Sequence, residues 1–250
     1  MVYKFIMEKN VSVITNIDIV PVNENFRGLS YGQWAAIWDN WLMSEDPDNS
    51  ARKDILFLRG NIDYRPVASV NGLPRFLDRR STFTRTGENA EMIFDSTAIL
   101  IPVLTARYSI GDIYDGRKIK DEYELRGAVN RDTDESLAIW ATIMHDKKTS
   151  KIADDLNTYR IESPLFKLSI SHKSKLILRT QDPSEPGIYD SVVGGFFLII
   201  RSFAEGNYRI QFGGRGRGNY STNSIYDIAV RGKRKDVVKD STMQIISNRS

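Results

Sequence analysis

From residue 166 to residue 230 the chain is a succession of short segments, alternating or wholly apolar, that are cut by Gly, Pro, Asn and Asp. Strands satisfy that pattern and long helices do not. Phe166, Leu168 and Ile170 alternate with Lys167 and Ser169, the two-residue period of a strand with one buried face. Leu176-Ile177-Leu178 follows less cleanly, and residues 181–187 form a Pro-Gly loop. Residues 196–200, 208–212 and 225–230 read as further strands with short connections. Ala204-Glu205-Gly206-Asn207 supplies turn chemistry between the first two of these, which predicts that 196–200 and 208–212 form a hairpin.

The preceding part carries one clear helix among more strands. Val11, Val13, Ile17 and Ile19 mark extended chain, closed by Pro21 and the Asn23-Glu24-Asn25 turn. Ser30 stands at an N-cap with Gln33 three residues on, the spacing of a capping box. Behind it Tyr31, Trp34, Ala35, Trp38, Trp41 and Leu42 recur as one apolar stripe, and Ser44-Glu45-Asp46-Pro47-Asp48-Asn49 ends the helix. Buried, the stripe is a core face; exposed, it is a platform for sugar rings. Residues 55–58 and 98–103 read as buried strands, with Pro102 counting against a central position for the second. Residues 81–86 alternate Thr and Phe, and 121–132 predict a short helix with Leu125, Ala128 and Val129 facing inward. Leu137, Ile139, Ala141 and Ile143 alternate ahead of an Asp146-Lys147-Lys148 turn, a strand pattern. A helix stays open there because Trp140 and Met144 would share a face. Tyr208, two residues after Gly206, resembles the tyrosine corner of sandwich domains, in which a phenol ties a loop to the strand that follows.

Composition narrows the function classes. A chain with no cysteine has no disulfide, thiol nucleophile or thiolate metal site, and it suits a reducing compartment. Eleven Tyr, eleven Phe and four Trp supply the bulky surface of a core. A net charge of +3 gives no global attraction to nucleic acid. The N-terminal residues are broken by Lys4, Glu8 and Lys9 with no apolar stretch after them, so no secretory signal is expected. The longest apolar run, 196–200, is far short of the ~20 residues of a membrane-spanning helix, so a soluble protein is expected.

No motif of catalysis stands out. His145 and His172 lack partners at metal-ligand spacing and read as surface histidines. There is no Gly-x-Ser-x-Gly elbow and no His-Glu-x-x-His. Carboxylates cluster at Glu45, Asp46 and Asp48 and at Asp154 and Asp155, which could serve glycoside hydrolysis only at the right separation in space. Asp46, Asp48 and Ser50 have the first offsets of a calcium loop, but Ala51 and Phe57 stand where Gly and Glu are required. Gly213-Gly214-Arg215-Gly216-Arg217-Gly218 has neither a phosphate-loop ending nor a dinucleotide fingerprint. It reads as a flexible hairpin loop at 213–218, with an anion-binding tip through Arg215 and Arg217 as the alternative. Without aromatic residues at regular spacing beside it, sequence-specific nucleic-acid recognition is not expected.

The segment Gly28-Leu29-Ser30-Tyr31-Gly32-Gln33-Trp34-Ala35-Ala36-Ile37-Trp38-Asp39-Asn40-Trp41-Leu42 resembles the Tyr-Gly-Glu-Trp-Ala-x-x-Trp-Trp-x-Trp opening of a largely uncharacterised family of bacteria, phages and large DNA viruses. Residues 55–60 are similar to its Val-Trp-Phe-Leu-Ala-Gly stretch, and Ile99-Leu100-Ile101-Pro102-Val103 to its Leu-Phe-Pro-Val stretch. Gly194-Gly195-Phe196-Phe197 and residues 206–214 are similar to its closing hairpin. The resemblance spans residues 26–106 and 163–230. Many bacterial members carry a secretory signal and cysteines. A version with neither suits assembly in a host cytoplasm, and the resemblance implies no reaction, cofactor or catalytic residue.

The expectations are therefore a mainly β protein, a β-sandwich of which the jelly roll is one form, with one or two short helices. Residues 1–25 form an extended N-terminal segment, 26–231 one sandwich domain, and 232–250 a C-terminal arm or last strand. The expected function is a virion structural protein, a minor capsid, decoration or penton-like subunit, that contacts other capsid proteins as a homo- or hetero-oligomer. The alternative is a non-catalytic carbohydrate-binding or host-surface adhesion module. No catalytic residue, metal or cofactor is expected. The basic Lys233-Arg234-Lys235 followed by Met243, Ile245 and Ile246 predicts an added strand, in the chain's own sheet or a neighbour's.

Overall fold

The computed structural model describes residues 17–43, 54–60, 79–87, 90–171, 186–216 and 220–232. The expectations for residues 1–16, for 176–178 and for the C-terminal arm fall outside them. In chain order the elements are α1 (Tyr31–Leu42), β1 (Ile55–Phe57), β2 (Arg79–Arg85), β3 (Glu91–Phe94), β4 (Ala98–Ser109), β5 (Ile113–Tyr114) and β6 (Arg117–Lys118). Then come α2 (Glu122–Asp134), β7 (Ala138–His145), β8 (Lys148–Lys151), a 3-10 turn (Leu156–Tyr159), β9 (Arg160–Glu162), β10 (Phe166–Ile170), β11 (Gly187–Ile200), β12 (Gly206–Arg215) and β13 (Tyr220–Arg231).

The fold is mainly β. Two mixed sheets face each other, ordered β1-β4-β11-β10 with β9 also on β11, and β2-β13-β12-β7-β8 with β3 also on β13. Ile99, Ile101, Phe196, Leu198 and Ile200 of the first sheet meet Ala141, Ile143, Ile210, Phe212, Ile228 and Val230 of the second in one core. The opposite face of the first sheet is apolar too, which is why β11 reads as an unbroken run. Ile55, Phe57, Leu100, Val193, Phe197 and Ile199 point there and are covered by α1. Strands buried on both faces lose the alternation that one-sided strands keep.

Local chemistry accounts for both helices. The Ser30 hydroxyl accepts from the Gln33 amide at 3.3 Å and the Gln33 side chain accepts from the Ser30 amide at 2.9 Å, so the capping box is complete. The stripe is core: Trp34 and Trp38 are buried, Trp41 packs half-buried at the edge of the same cluster, and the sugar-platform reading of these three does not hold. The N–H of Trp34 donates to Phe26 O at 2.9 Å and that of Trp38 to Leu58 O at 2.8 Å. Asp121 caps α2 by accepting from the Glu124 amide, and Leu125, Ala128 and Val129 are buried against Val192. The helix approaches closely because Gly194 lies beneath it: a Cβ there would stand 2.6 Å from Val129 Cγ1.

Pro102 does occupy a central strand. β4 shifts register by one residue opposite Phe196 and Phe197, and a bulge tolerates a residue with no N–H. On its other side β1 pairs with β4 only as far as Leu100, so no ladder bond is missing there. The bulge also turns both Val103 and Leu104 into the inter-sheet core.

The predicted hairpin of 196–200 with 208–212 is corrected. These segments lie in facing sheets: residues 197–200 have β4 on one edge and residues 19 and 20 on the other, through the Ile19–Ile200 bridge and the Val20 N–H donating to Ile199 O at 2.9 Å. β12 pairs instead with β13, from Gly206 opposite Val230 to Arg215 opposite Ser221, and with β7. Residues 201–205 carry the chain across. Arg201 is held by Asp18 and Glu24, Phe203 is buried, and the Tyr208 phenol donates to Ala204 O at 3.1 Å, as the tyrosine corner requires. Tyr208→Phe is expected to cost about 1 kcal/mol, read as a lower urea midpoint with an unchanged slope. Leu137 is also corrected: it is 67% exposed and precedes β7, while Ala141 and Ile143 do face inward.

Candidate interaction surface

The sequence-level candidates scatter. His145 ends β7, where its ring stacks on Tyr208 at 4.4 Å between centroids. Its Nδ1 lies 3.1 Å from Asn207 O and its Nε2 3.3 Å from Asp146 Oδ2. These contacts hold the Asp146-Lys147 turn, whose two residues have φ of 49° and 63°, against the start of β12. Phe57, the last position of the would-be calcium loop, is core. Asp155 caps the 3-10 turn through the Asn157 amide at 2.9 Å, and Asp154 is exposed. His172, Glu45, Asp46, Asp48, Ser50 and Ala51 lie outside the described residues. Among the described residues no three of His, Asp and Glu gather in a group that could hold a metal ion, and no helix is long and apolar enough to cross a membrane.

The Gly-Arg loop at 213–218 is corrected in its first half. Gly213, Gly214 and Arg215 belong to β12, and Gly216 is buried beyond it; Arg217 and Gly218 fall outside the described residues. The two glycines serve close packing on opposite faces. A Cβ on Gly214 would meet Leu104 Cδ2, from the facing sheet, at 2.9 Å. A Cβ on Gly213 would meet Thr222 O at 2.1 Å and Trp140 Cζ2 at 3.0 Å. The glycines thus admit Leu104, next to the β4 bulge, on one side and an indole on the other.

That indole belongs to the outer face of the second sheet. Ile139 and Ala141 turn toward the inter-sheet core, so Trp140 between them points away from it. It is partly exposed, directly opposite Gly213, which is in turn opposite Asn223. The same outer rows carry Thr142 and Gln211, paired with each other, and Arg215 opposite Ser221. Gln211 Nε2 donates to Asn223 Oδ1 at 2.9 Å. The other half of each amide, an acceptor on Gln211 and a donor on Asn223, has no described partner. Unlike Trp34 and Trp38 of α1, whose N–H groups are spent on carbonyls, Trp140 donates its N–H to no described residue. Farther along the face Arg209 is paired with Asp227 at 2.7 Å, whereas Arg215 is exposed and has no described carboxylate. A tryptophan out of phase with an inward-facing alternation was the sequence signal for this face, and it stays hidden while a helix is open for the segment.

Two other features adjoin the sheets. A cleft of about 400 Å³ lies between the end of α2 and the start of β7, lined by Thr133, Asp134, Ser136, Leu137, Asn157 and Arg160 among others. Arg160 spends its Nη2 on Asn130 Oδ1 at 2.9 Å and Asp134 Oδ1 at 2.7 Å. Its Nε and the Ser136 hydroxyl are buried without partners. At the far side of the second sheet β3 pairs only with β13 among the described strands. Its Met92 and Phe94 are 74% and 53% exposed, while Ile93 between them is core. Comparison with protein families, curated proteins and solved structures finds no match to this chain.

Proposed function

We propose that the chain is a structural subunit of a virus or phage particle, a minor capsid, decoration or penton-like protein that works through protein–protein contacts. The observation that carries this reading is the apolar pair Met92 and Phe94 on β3, outward on a sheet edge whose next position is open among the described strands. An edge strand offers unpaired N–H and C=O groups, and apolar side chains on it invite pairing with another chain. The strand also lies where β13 ends, Arg231 opposite Phe94. A neighbour's extended segment added at this edge is a contact by which a particle lattice can be built. The resemblance of residues 26–106 and 163–230 to a family found in phages and large DNA viruses points the same way.

Mass spectrometry of purified particles of the encoding virus is the direct test, and particles free of this chain sink the reading. The edge itself is tested by replacing Met92 and Phe94 together with Asp. Because both side chains already face solvent, the isolated protein's stability should change by no more than about 0.5 kcal/mol per site. Incorporation into particles should fall severalfold. Unchanged incorporation would remove β3 from the contact.

A further inference from the structure

We infer that the outer face of the second sheet is a glycan-binding surface, on which a sugar ring stacks on Trp140 and an acidic group of the same glycan pairs with Arg215. This does not rest on the virion reading, since a particle protein and a free adhesion module use such a face alike. Three observations carry it. An indole supported by a close glycine presents apolar surface with a polar edge that donates to no described residue, the combination that suits a pyranose, with its C–H face and hydroxyl rim. Gly213 is that support, since a Cβ there would come within 3.0 Å of the ring. Beside the indole the Gln211–Asn223 pair keeps one acceptor and one donor unspent, which matches hydroxyls that both give and take hydrogen bonds. Arg215 then stands two residues along β12 from Gly213, about 7 Å at the rise of a strand. It is a guanidinium without a carboxylate partner among the described residues, and its planar fork suits a carboxylate.

The competing occupant is single-stranded nucleic acid, which also stacks on aromatic side chains. It calls for successive aromatics along a cationic groove. On the described outer rows Trp140 is the single aromatic residue, set among Thr142, Gln211, Asn223 and Ile225 with Arg215 and Lys151 nearby, and Arg209 is neutralised by Asp227; without successive aromatics the face fits a glycan better.

The experiment prints lactose, sialyllactose, uronic-acid oligosaccharides and an unstructured single-stranded oligonucleotide on one array and applies the full chain. Retention of the acidic glycans above their neutral counterparts is expected. Trp140→Ala should weaken that retention about tenfold, one aromatic contact's share, with Trp140→Phe restoring part of it. Arg215→Gln should erase the preference for acidic over neutral glycans while leaving neutral binding in place. Because Trp140→Ala could act through loss of fold, its unfolding midpoint is measured alongside, and the Arg215→Gln result stands without it. Retention of no glycan, retention unaffected by either substitution, or retention of the oligonucleotide alone overturns the inference. Particle mass spectrometry is indifferent to all of these outcomes, so the two readings fail separately.

Discussion

Replacing Trp38 with Ala is expected to destabilise the chain by about 3–5 kcal/mol. The ring is 2% exposed, stands edge-on to Phe197 at 5.5 Å, and donates its N–H to Leu58 O at 2.8 Å. Truncation opens a cavity between α1 and the first sheet and strands a buried carbonyl, and neither loss can be recovered from solvent. Against a typical stability of about 5–15 kcal/mol this is a large fraction. For a chain of this size it corresponds to a fall in melting temperature of roughly 10 °C. Trp41→Ala is the informative control. Its ring is half-buried at the rim of the same cluster, and its N–H is buried without a partner, so removing it also removes an uncompensated desolvation. Trp41→Ala should therefore cost clearly less than Trp38→Ala. Equal losses from the two would mean that α1 is not anchored through Trp38.

What could be read from the residues divides along the range of the interactions that decide it. α1 and α2 were legible because their determinants lie within one helical turn: Ser30 with Gln33, and Asp121 ahead of Leu125, Ala128 and Val129. The Asp146-Lys147 turn and the Tyr208 phenol tie were legible for the same reason. Sheet membership was not. β1 runs parallel to β4, and β2 and β3 run parallel to β13, and no local turn chemistry announces a parallel partner so far away in sequence. The short link after Ile200 looked like a hairpin turn, and only the filled edges of β11 show that it is a crossing between sheets. Gly213 and Gly214 misled in another way. Glycine has the same signature in a loop and under a close contact, and what separates the two is Leu104 and Trp140, both remote in sequence. The candidate surface was legible only as a phase: once Ile139 and Ala141 are inward, Trp140 has to be outward.

The same helix that brings Trp38 to the sheet also buries a carboxylate, and the expected result there is a pH-dependent contribution to stability that Asp39→Asn removes. Asp39 is 2% exposed. Its Oδ2 has no hydrogen-bond partner, and the nearby Arg107 Nε, at 3.6 Å, makes a charge contact longer than a hydrogen bond. Burial therefore dominates and pushes the carboxyl from its ordinary 3.8 up to about 6, Arg107 offsetting only part of the effect. In the window between these two values the folded chain holds a proton that the unfolded chain has released, so stability falls as pH rises across it. The contribution is fully present below pH 3.8 and is lost as pH passes through about 6. It amounts to about 3 kcal/mol. Asparagine has the shape of the protonated acid and no charge to desolvate. Asp39→Asn should therefore match the parent near pH 3.8 and exceed it by up to about 3 kcal/mol at neutral pH. Urea unfolding of both proteins at intervals from acid to neutral pH isolates the effect, because every other titrating group is common to the two and cancels in the difference. A difference that does not grow with pH would show that Asp39 is ionised in the fold throughout, held by Arg107 more strongly than a 3.6 Å contact implies.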